Sequence, residues 1–349
     1  MPLTIDQIDD LILTTHKHRD PQKFNQIAQS KVSYPLLDYM LRKKNMKSIT
    51  GTSVIRPVML KKTGASRMVG MFATDTVNVA DVAKNVEAPW RHINTPIAYD
   101  VKEFMANSGK EQIIQLLKLR KADAELSRVE HISNQLWSSP ADSSDALNIW
   151  GIPYWVVGNA TAGFNGGAPS GFTTVGGLNP SSVDVPNWKN YTAQYAAVSK
   201  ADLIKKMVDG FAETGFESPI TVDDFARGEK TDRFRIFAKR SVISDLEALL
   251  EQQNDQLGSD VAPMFGKASI NRTPITRDPA LDDAVAFPKS PVYALDMRYW
   301  ELFYLAGSLE RTSKPEAAPN QHDVRVIHID DTMNLICTDR RRQAVFQTA

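Results

Sequence analysis

Residues 110–139 contain neither glycine nor proline, and this uninterrupted run constrains the fold more than any other feature of the 349-residue chain. Ser108 and Glu111 have the spacing of a capping box, which satisfies backbone N–H groups where a helix begins. Apolar residues then recur at steps of three and four, as on one face of an amphipathic helix. These residues are Leu119, Ala122, Leu126, Val129, Ile132 and Leu136. We predict a helix over residues 109–137, about 40 Å long at ~1.5 Å per residue.

The segment before this helix is basic and rich in β-forming residues. Residues 39–74 contain eight Lys or Arg and no Asp or Glu, although the whole chain balances 41 basic against 41 acidic residues. Residues 51–100 are predicted as a long β-hairpin, with strands at 52–60 and 68–79 and a polar turn between them. Its tip has few apolar residues, so we expect it to project from the body. Residues 201–260, in contrast, carry 13 acidic and 8 basic residues. The neutral net charge of the chain is therefore the sum of a basic region and an acidic region. Such a distribution of charge favours association between copies.

Residues 150–195 differ in composition from the rest of the chain. Eight of the 18 glycines lie between positions 151 and 177, and eight aromatic residues lie between positions 150 and 195. Glycine permits close backbone approach and positive φ, while large aromatic rings hold such a segment in place. We predict a long ordered loop with a functional role.

The C-terminal half alternates helices with strands. A helix is predicted over residues 200–214, with Ser199 as its N-cap and Gly215 at its end. A second is predicted from the Ser244–Glu247 capping box to residue 257. Predicted strands cover residues 234–238, 270–273, 291–295, 301–306, 324–329, 335–338 and 344–347. The fold class is therefore α+β.

The sequence contains no catalytic signature. We find no phosphate-binding loop, no serine-nucleophile motif and no cysteine pair, since Cys337 is the single cysteine. His322 and His328, near Asp330 and Asp331, would suit a metal, but an ordinary half-exposed strand explains them as well. We therefore predict no catalytic residue, cofactor or metal. The neutral total argues against a free nucleic-acid-binding protein, and we find neither a secretory signal nor a membrane span.

Several short strings occur in order along the chain. They are WGIPYW (150–155), GFNGG (163–167), GGLN (176–179), WKNYTAQY (188–195), LLE (249–251), ND (254–255), LG (257–258), APNQH (318–322) and CTDRRR (337–342). Together they resemble the major capsid proteins of tailed double-stranded-DNA bacteriophages, which have the Hong Kong 97 phage-type capsid fold. The resemblance runs from about Pro89 to the C-terminus, and its weight lies in the number and order of the strings.

This resemblance implies a division of the chain into four parts. Residues 1–50 would be an N-terminal arm and residues 51–100 the extended hairpin loop. Residues 101–149, together with 307–349, would form a peripheral domain that contains the long spine helix. Residues 150–306 would form the axial domain.

The resemblance also implies a function. The chain would be a structural protein whose copies assemble as hexamers and pentamers into an icosahedral shell around the phage genome. It would be located in the virion capsid and assemble in the cytoplasm of the bacterial host. Its partners would be further copies of itself, double-stranded DNA contacted without sequence specificity, a separate scaffolding protein, a portal, and decoration or cement proteins, with no membrane.

Three groups of residues are predicted to make contacts in such a shell. Contacts of the extended loop with neighbouring subunits are assigned to Arg56, Lys61, Lys62 and Arg67. Contacts within a capsomer are assigned to Trp150, Trp155, Phe164, Asn165 and Trp188. A basic arm facing the genome is assigned to Lys17, Arg19 and Lys23. Asn334 is a conceivable cross-linking partner of Lys61 or Lys62, and the alternative is that these lysines are solvated or ion-paired.

Other interpretations stay open at this point. Arg340, Arg341 and Arg342 could face phosphates, form a basic turn between strands, or pair with acids of a neighbour. An encapsulin-like nanocompartment shell would have the same fold. From other classes, a soluble hydrolase would need a deep pocket of convergent titratable groups. A carbohydrate-binding module would need Trp150, Trp155 and Trp188 as exposed stacking rings.

Overall fold

The computed structural model describes residues 33–42, 46–62, 66, 68–71, 82–102, 110–216, 233–254, 269–271, 273–283, 285–319 and 321–349. For residues 110–118, 250–254 and 322 it describes the backbone only. Most of the predicted arm, including Lys17, Arg19 and Lys23, lies outside these ranges, as does Arg67 of the predicted hairpin.

The described residues form five α-helices and fifteen β-strands. The helices are α1 Pro35–Met40, α2 Lys110–Leu136, α3 Ile152–Trp155, α4 Lys205–Thr214 and α5 Arg240–Asn254. The first strands are β1 Met46–Ile49, β2 Ser53–Met59, β3 Ala83–Pro89, β4 Arg91–Asp100, β5 Gly163–Gly166, β6 Asn190–Tyr195 and β7 Phe234–Ala238. The others are β8 Ser269–Ile270, β9 Thr273–Arg277, β10 Val292–Asp296, β11 Trp300–Leu305, β12 Arg311–Thr312, β13 Glu316–Ala318, β14 Gln321–Cys337 and β15 Ala344–Thr348. The α+β prediction is confirmed.

A six-stranded sheet is organised around β14, which is 17 residues long. β14 pairs antiparallel with β4 along residues 324–333 and with β11 along residues 333–337. Strands β12 and β13 also pair with β14, and β1 lies parallel to β11. The two strands predicted at 324–329 and 335–338 are thus one continuous strand, because different partners satisfy its two halves.

The predicted long helix is confirmed as α2, and its 27 residues lie across this sheet. Ala124, Ile132 and Leu136 are buried on its inner face. Arg128 reaches β14 and forms a two-bond ion pair with the buried carboxylate of Asp331, with 2.9 Å between Nη2 and Oδ1. The helix is therefore fixed to the sheet by apolar packing and by one buried charge pair.

A seven-stranded sheet has the order β5-β6-β15-β10-β7-β9-β8, and α4 packs on β6 and β15. A side chain at Gly210 of α4 would place Cβ 2.8 Å from the rings of Phe346 and Tyr191, so glycine allows this close approach. Ser199 is the predicted N-cap and accepts from the Asp202 N–H, although the first turn, Lys200–Ile204, is π-helical. Gly215 ends α4 with φ of 66°, as predicted.

The hairpin has a different second strand from the one predicted. β2 pairs with β3, and Met59 lies opposite Ala83. Residues 68–71 are not in a strand, and residues 72–81 lie outside the described ranges. This pairing places the buried residues Val54 and Val58 on the same face as Val86 and Ala88. Burial of this face against the rest of the subunit therefore decides which strand pairs with β2.

The second C-terminal helix also begins earlier than predicted. α5 begins at Arg240, four residues before the predicted cap Ser244. The carboxylate of Asp282 accepts from the Arg240 N–H over 2.8 Å and satisfies the start of the helix from a distant segment. The helix is described to Asn254, and its predicted end at residue 257 lies outside the described residues.

The last strand crosses from one sheet to the other. β14 ends in the six-stranded sheet, the turn over residues 338–343 follows, and β15 lies in the seven-stranded sheet beside β6 and β10. The turn over residues 338–343 therefore connects the two sheets, and the division of the chain into four parts stays a prediction. The largest apolar cluster likewise contains Leu302 and Leu335 from one sheet and Tyr293 and Val345 from the other. In the described residues, no helix is both long enough and apolar enough to cross a membrane.

Candidate functional site

The base of the hairpin is bound to its own subunit. Nε of Arg56 donates to the carboxylate of Glu301 over 3.1 Å, and its guanidinium lies 4.8 Å from the centre of the Phe303 ring. Lys47 pairs with the same carboxylate. Arg56 was predicted to contact a neighbouring subunit, but its charge is satisfied within the chain by Glu301 of β11.

Lys61 is also held by its own subunit. Its Nζ donates to Asp184 over 2.9 Å, and this hydrogen bond keeps the pKa of the exposed Asp184 carboxyl below its usual value. Nearby, Nδ2 of Asn187 donates to the Leu60 carbonyl over 2.9 Å. The ion-paired alternative is therefore correct for Lys61. Lys62 is exposed and stays a predicted contact residue.

The outer face of the hairpin mixes apolar and polar side chains, since Asn85 and Glu87 of β3 are exposed there opposite Pro57 and Ile55. Ile55 and Met59 of β2 are exposed on the side opposite to Val54 and Val58, with Pro57 between them. Near the tip, the side chains of Met68, Val69 and Met71 are exposed as well. Several exposed large apolar side chains on one segment are typical of a surface that another protein covers.

Two of the predicted capsomer contacts are internal instead. Trp155 and Trp188 are 0% and 1% exposed. The Trp155 indole N–H donates to the carbonyls of Trp150 and Leu335, both over 3.1 Å, and that of Trp188 donates to the Val175 carbonyl over 2.9 Å. The prediction that these two rings meet a neighbouring subunit is wrong, because they fill the core beneath the loop. Their burial also excludes the carbohydrate-binding interpretation, which needs exposed rings.

The other three residues of that group lie nearer the surface. Trp150 is half-buried and stacks on Tyr154 with ring centres 4.5 Å apart. Phe164 is half-buried under the guanidinium of Arg341, which lies 4.1 Å from its ring centre. Nδ2 of Asn165 donates to the Ala162 carbonyl over 2.9 Å and closes its turn. Their contacts with other subunits stay a prediction.

The glycine- and aromatic-rich loop, residues 150–195, is held by one buried arginine. Arg340 is 0% exposed, and its guanidinium donates to the carbonyls of Trp155 (2.7 Å), Trp188 (2.9 Å) and Gly167 (2.7 Å). Longer bonds reach the Gly166 carbonyl and the Oδ1 atom of Asn190. We call these contacts the Arg340 network. Burial lowers the pKa of Arg340 to about 10, so the group is charged at neutral pH and is solvated by carbonyl dipoles.

Two glycines of this loop allow close packing, one against the Arg340 network and one against β3. A Cβ at Gly166 would lie 2.0 Å from Oδ1 of Asn190. Gly176 has φ of 59°, and a Cβ there would lie 2.5 Å from Val86 of β3. The Gly176 carbonyl also accepts from the Glu87 N–H over 3.0 Å. The glycine-rich loop therefore supports the base of the hairpin directly.

The three consecutive arginines have separate roles. Arg340 points inward, Arg341 lies over Phe164 and donates to Asn187 over 2.7 Å, and Arg342 donates to the Thr214 carbonyl over 3.1 Å. The interpretation as a turn between strands is correct, since Arg340–Arg342 is one 3₁₀ turn between β14 and β15. The sequence did not single out Arg340, because its two neighbours are chemically identical.

The polar residues that complete this junction were also not predicted. Gln343 is fully buried, and its Oε1 accepts from the Trp300 indole and from the Asp296 N–H, both over 3.0 Å. Asn190 is fully buried, and its side-chain amide accepts from the Val157 N–H and donates to the Val157 carbonyl. The one available signal was their position, since Asn190 lies within the WKNYTAQY string and Gln343 directly follows the CTDRRR string.

The proposed cross-linking partner is inaccessible. Asn334 is 0% exposed, and its Nδ2 donates to the Pro89 carbonyl over 2.7 Å. Its Oδ1 accepts from the backbone N–H groups of Trp150 and Leu335. A lysine of another subunit cannot reach this amide without breaking the fold, so this part of the prediction is wrong.

The sequence also offered a metal interpretation. Asp331 is bound by Arg128, while Asp330 and His328 share Asn94 as a partner. Where the chain is described, no group of three His, Cys, Asp or Glu side chains is placed to hold a metal ion. These acidic residues therefore serve the packing of α2 and the pairing of β14 with β4.

Two clefts bear on the hydrolase alternative. One of about 740 Å³ lies beside the end of α2, with Glu130 and Asp283 as its acidic residues. Another of about 350 Å³ lies between β2 and the 338–341 turn, with Asp339 and Arg341 in its wall. Among the described residues of both linings, no histidine accompanies a serine, threonine or cysteine. Neither cleft offers the convergent groups that a hydrolase needs.

The long helix, the two sheets and the hairpin form an α+β fold that solved structures of phage capsids share. The capsid protein of cyanophage A-1(L) has a TM-score of 0.66 at 14% identity, with 94% of this chain and 96% of that chain covered. The capsid of an empty GTA particle has a TM-score of 0.55 at 11% identity, with 95% of each chain covered. The chain therefore has the Hong Kong 97 phage-type capsid fold.

The fold is shared beyond phages. The holo-SrpI encapsulin complex of Synechococcus elongatus has a TM-score of 0.51 at 11% identity, with 99% of this chain and 96% of that chain covered. In sequence comparisons, no protein-family model matches the chain, and no curated protein matches it. The similarity is therefore one of fold.

Proposed function

We propose that this chain is a major capsid protein whose copies assemble as hexamers and pentamers into an icosahedral shell around double-stranded DNA. The observation that carries the proposal is the fold match to the cyanophage A-1(L) capsid along 94% of the chain. The role is structural, with no chemical step. The shell belongs to the virion and is assembled in the bacterial host cytoplasm.

The surface of the described residues supports an assembling subunit. The hairpin presents Ile55, Met59, Met68 and Met71 to solvent, and burying each such side chain stabilises a complex by roughly 1.5–3 kcal/mol before ordering costs. Arg56 of β2 is bound to Glu301 of the same subunit. A strand that is already held in place loses little conformational freedom when it is covered, which favours association.

Expression of the chain followed by electron microscopy tests this proposal. We expect closed icosahedral particles that protect double-stranded DNA from nuclease when assembly takes place with the packaging proteins of a phage. The buried area per subunit should exceed the ~1,600 Å² of a standard protein complex. A chain that stays monomeric under all conditions of salt and concentration would refute the proposal.

The encapsulin fold match favours a second candidate, a nanocompartment shell that encloses protein. The contents of purified particles distinguish the two. Nuclease-resistant DNA supports the capsid, whereas particles that contain a co-purifying protein and no nucleic acid support the nanocompartment. Scaffolding, portal and decoration proteins are partners of the first candidate alone.

The genome is contacted without sequence specificity in this proposal, through Lys17, Arg19 and Lys23 of the arm. Neutralising contacts with phosphate gives a binding affinity that falls with salt. Replacing the three residues by Gln should lower the salt concentration at which particles release DNA. The matched control replaces Lys205, Arg311 and Lys314, which are exposed on the body, and an equal effect of both sets would refute the role of the arm.

A further inference from the structure

We propose that Asn165 is a site of spontaneous covalent modification, at which the side-chain amide is lost as ammonia, and that the resulting aspartate or isoaspartate weakens the loop. The chain contains one Asn–Gly pair, Asn165–Gly166, and it lies in the GFNGG string. Glycine has no Cβ, so its backbone nitrogen reaches the preceding amide carbon more easily than that of other residues. The inference concerns the chemistry of the subunit itself and goes beyond the proposed function.

The reaction needs only water and hydroxide as co-reactants. The backbone nitrogen of Gly166 gives its proton to hydroxide and attacks Cγ of Asn165, so a bond forms between these two atoms. The bond between Cγ and Nδ2 breaks, and the amide nitrogen takes a proton from water and leaves as ammonia. Water then opens the resulting succinimide ring at either of its two carbonyl carbons, which gives aspartate or isoaspartate.

The fold requires both members of this reactive pair. A Cβ on Gly166 would lie 2.0 Å from Oδ1 of Asn190, so a residue with a side chain does not fit there. Nδ2 of Asn165 donates to the Ala162 carbonyl over 2.9 Å and to the Thr161 carbonyl over 3.5 Å. The pair is therefore retained because each of its residues has a structural role, although the dipeptide is chemically labile.

The pair lies at an irregularity of the sheet. Between Gly163 and Gly166 the register of β5 with β6 shifts, so two residues of β5 face the single residue Tyr191. Such a bulge leaves its extra residue out of the ladder of hydrogen bonds. Opening a short segment of this kind requires less free energy than unfolding the whole subunit. The half-buried Asn165 therefore reacts in the folded subunit each time the turn opens and the ring can close.

Either product disturbs the loop. In the aspartate product, a carboxylate oxygen replaces the Nδ2 donor and faces the Ala162 carbonyl, so two hydrogen-bond acceptors meet without a proton between them. In the isoaspartate product, the main chain also gains one carbon atom immediately before Gly166. The carbonyls of Gly166 and Gly167 accept from Arg340 over 3.3 and 2.7 Å. The added atom displaces these two acceptors, and the Arg340 network loses part of its bonds.

Peptide mass spectrometry of the folded, unassembled subunit during incubation in alkaline buffer tests the site. Conversion at Asn165 should be at least tenfold faster than at Asn159, which precedes an alanine in the same loop. Asn179 should form no succinimide, because Pro180 has no N–H. The Asn165→Gln variant should not be converted at this position, since the attack of the Gly166 nitrogen would close a larger, less favourable ring. Equal rates at Asn165 and Asn159 would overturn the inference.

Two variants with the same change of charge test the consequence. Asn165→Asp should raise the equilibrium constant for unfolding in urea at least tenfold. Asn179→Asp should change it less than twofold, because Oδ1 of Asn179 accepts from the Ser181 N–H and an aspartate keeps this acceptor. Equal effects of the two variants would overturn the inference.

Aged wild-type subunits provide the same readout if Asn165→Asp does not fold. Their converted fraction, separated by ion exchange, should unfold at a lower urea concentration than the unconverted fraction, and identical unfolding curves would overturn the inference. All of these measurements use the unassembled subunit, so their outcome does not depend on whether the chain forms a shell. Failure of the wild-type chain to form any particle would instead refute the proposed function.

Discussion

Nε of Arg340 donates a hydrogen bond to the carbonyl oxygen of Trp155 over 2.7 Å, and both side chains are fully buried although 185 positions separate them. The bond joins the turn before the last strand to the aromatic loop. The same guanidinium also holds Trp188 and Gly167. One buried cation therefore organises the loop that supports the base of the hairpin.

Replacing Arg340 by Met should destabilise the subunit by at least about 3 kcal/mol, because several buried carbonyls lose their donors at roughly 1–3 kcal/mol each. Arg340→Lys should recover only part of this loss, since an ammonium group cannot reproduce the planar fork of donors. Urea unfolding of the unassembled subunit measures the change, because assembly shifts apparent stability. The adjacent, exposed Arg341→Met is the control and should cost about 1 kcal/mol or less. Equal costs at both positions would contradict the assigned role.

Two adjacent glycines offer a matched comparison. Gly176 and Gly177 both have positive φ, but a Cβ at Gly176 would meet Val86 at 2.5 Å and the Trp155 ring at 3.0 Å, whereas a Cβ at Gly177 would meet nothing within 4 Å. Gly177→Ala should cost about 1–2 kcal/mol for backbone strain alone. Gly176→Ala should cost a further ~1–3 kcal/mol for overpacking. Thermal unfolding of the two variants decides this, and identical melting temperatures would contradict it.

The pair of Arg128 with Asp331 should fix α2 to the sheet. Removing one partner, as in Arg128→Met, leaves an uncompensated buried charge and should cost about 3–5 kcal/mol. Backbone hydrogen exchange should then become faster throughout α2. Lys121 and Glu125, an exposed pair 3.7 Å apart on the same helix, provide the control, and Glu125→Ala should change stability by less than ~0.5 kcal/mol. Unchanged exchange in Arg128→Met would show that apolar packing alone holds the helix.

Asp145 should make stability depend on pH in the acid range. Its carboxylate accepts from the side-chain amide of Asn148 and from the backbone N–H groups of Ala141, Leu147 and Asn148, and these bonds lower its pKa to about 2. A carboxyl with a lowered folded-state pKa contributes stability above its unfolded value of ~3.9, and this contribution is lost as the pH falls toward 2.

Unfolding free energies of wild type and Asp145→Asn, compared from pH 5 to pH 2, measure this contribution. The difference between the two proteins should be constant near pH 5 and should shrink between pH 4 and pH 2. Parallel curves over this range would refute the assignment.

Local patterns predicted the helices well where the decisive hydrogen bonds are local. The spine helix was predicted over 109–137 and is found at Lys110–Leu136, because its periodicity and the absence of helix breakers lie within the segment itself. Ser199 and Gly215 were assigned correctly for the same reason. The start of α5 was missed because its cap, Asp282, lies 42 positions away.

The identity of the buried groups depends on the tertiary structure. Three consecutive arginines are equivalent in sequence, yet one is fully buried and two are exposed, since only Arg340 lies where the two sheets meet. Trp155 and Trp188 were expected at an interface and lie in the core, because the glycine-rich loop closes over them. The sequence by itself determined the long helix, the α+β class and the capsid resemblance, whose signals are local. Packing between distant segments decided which strand pairs in the hairpin and which charge is buried, because burial and long-range hydrogen bonds exist only after the chain has folded.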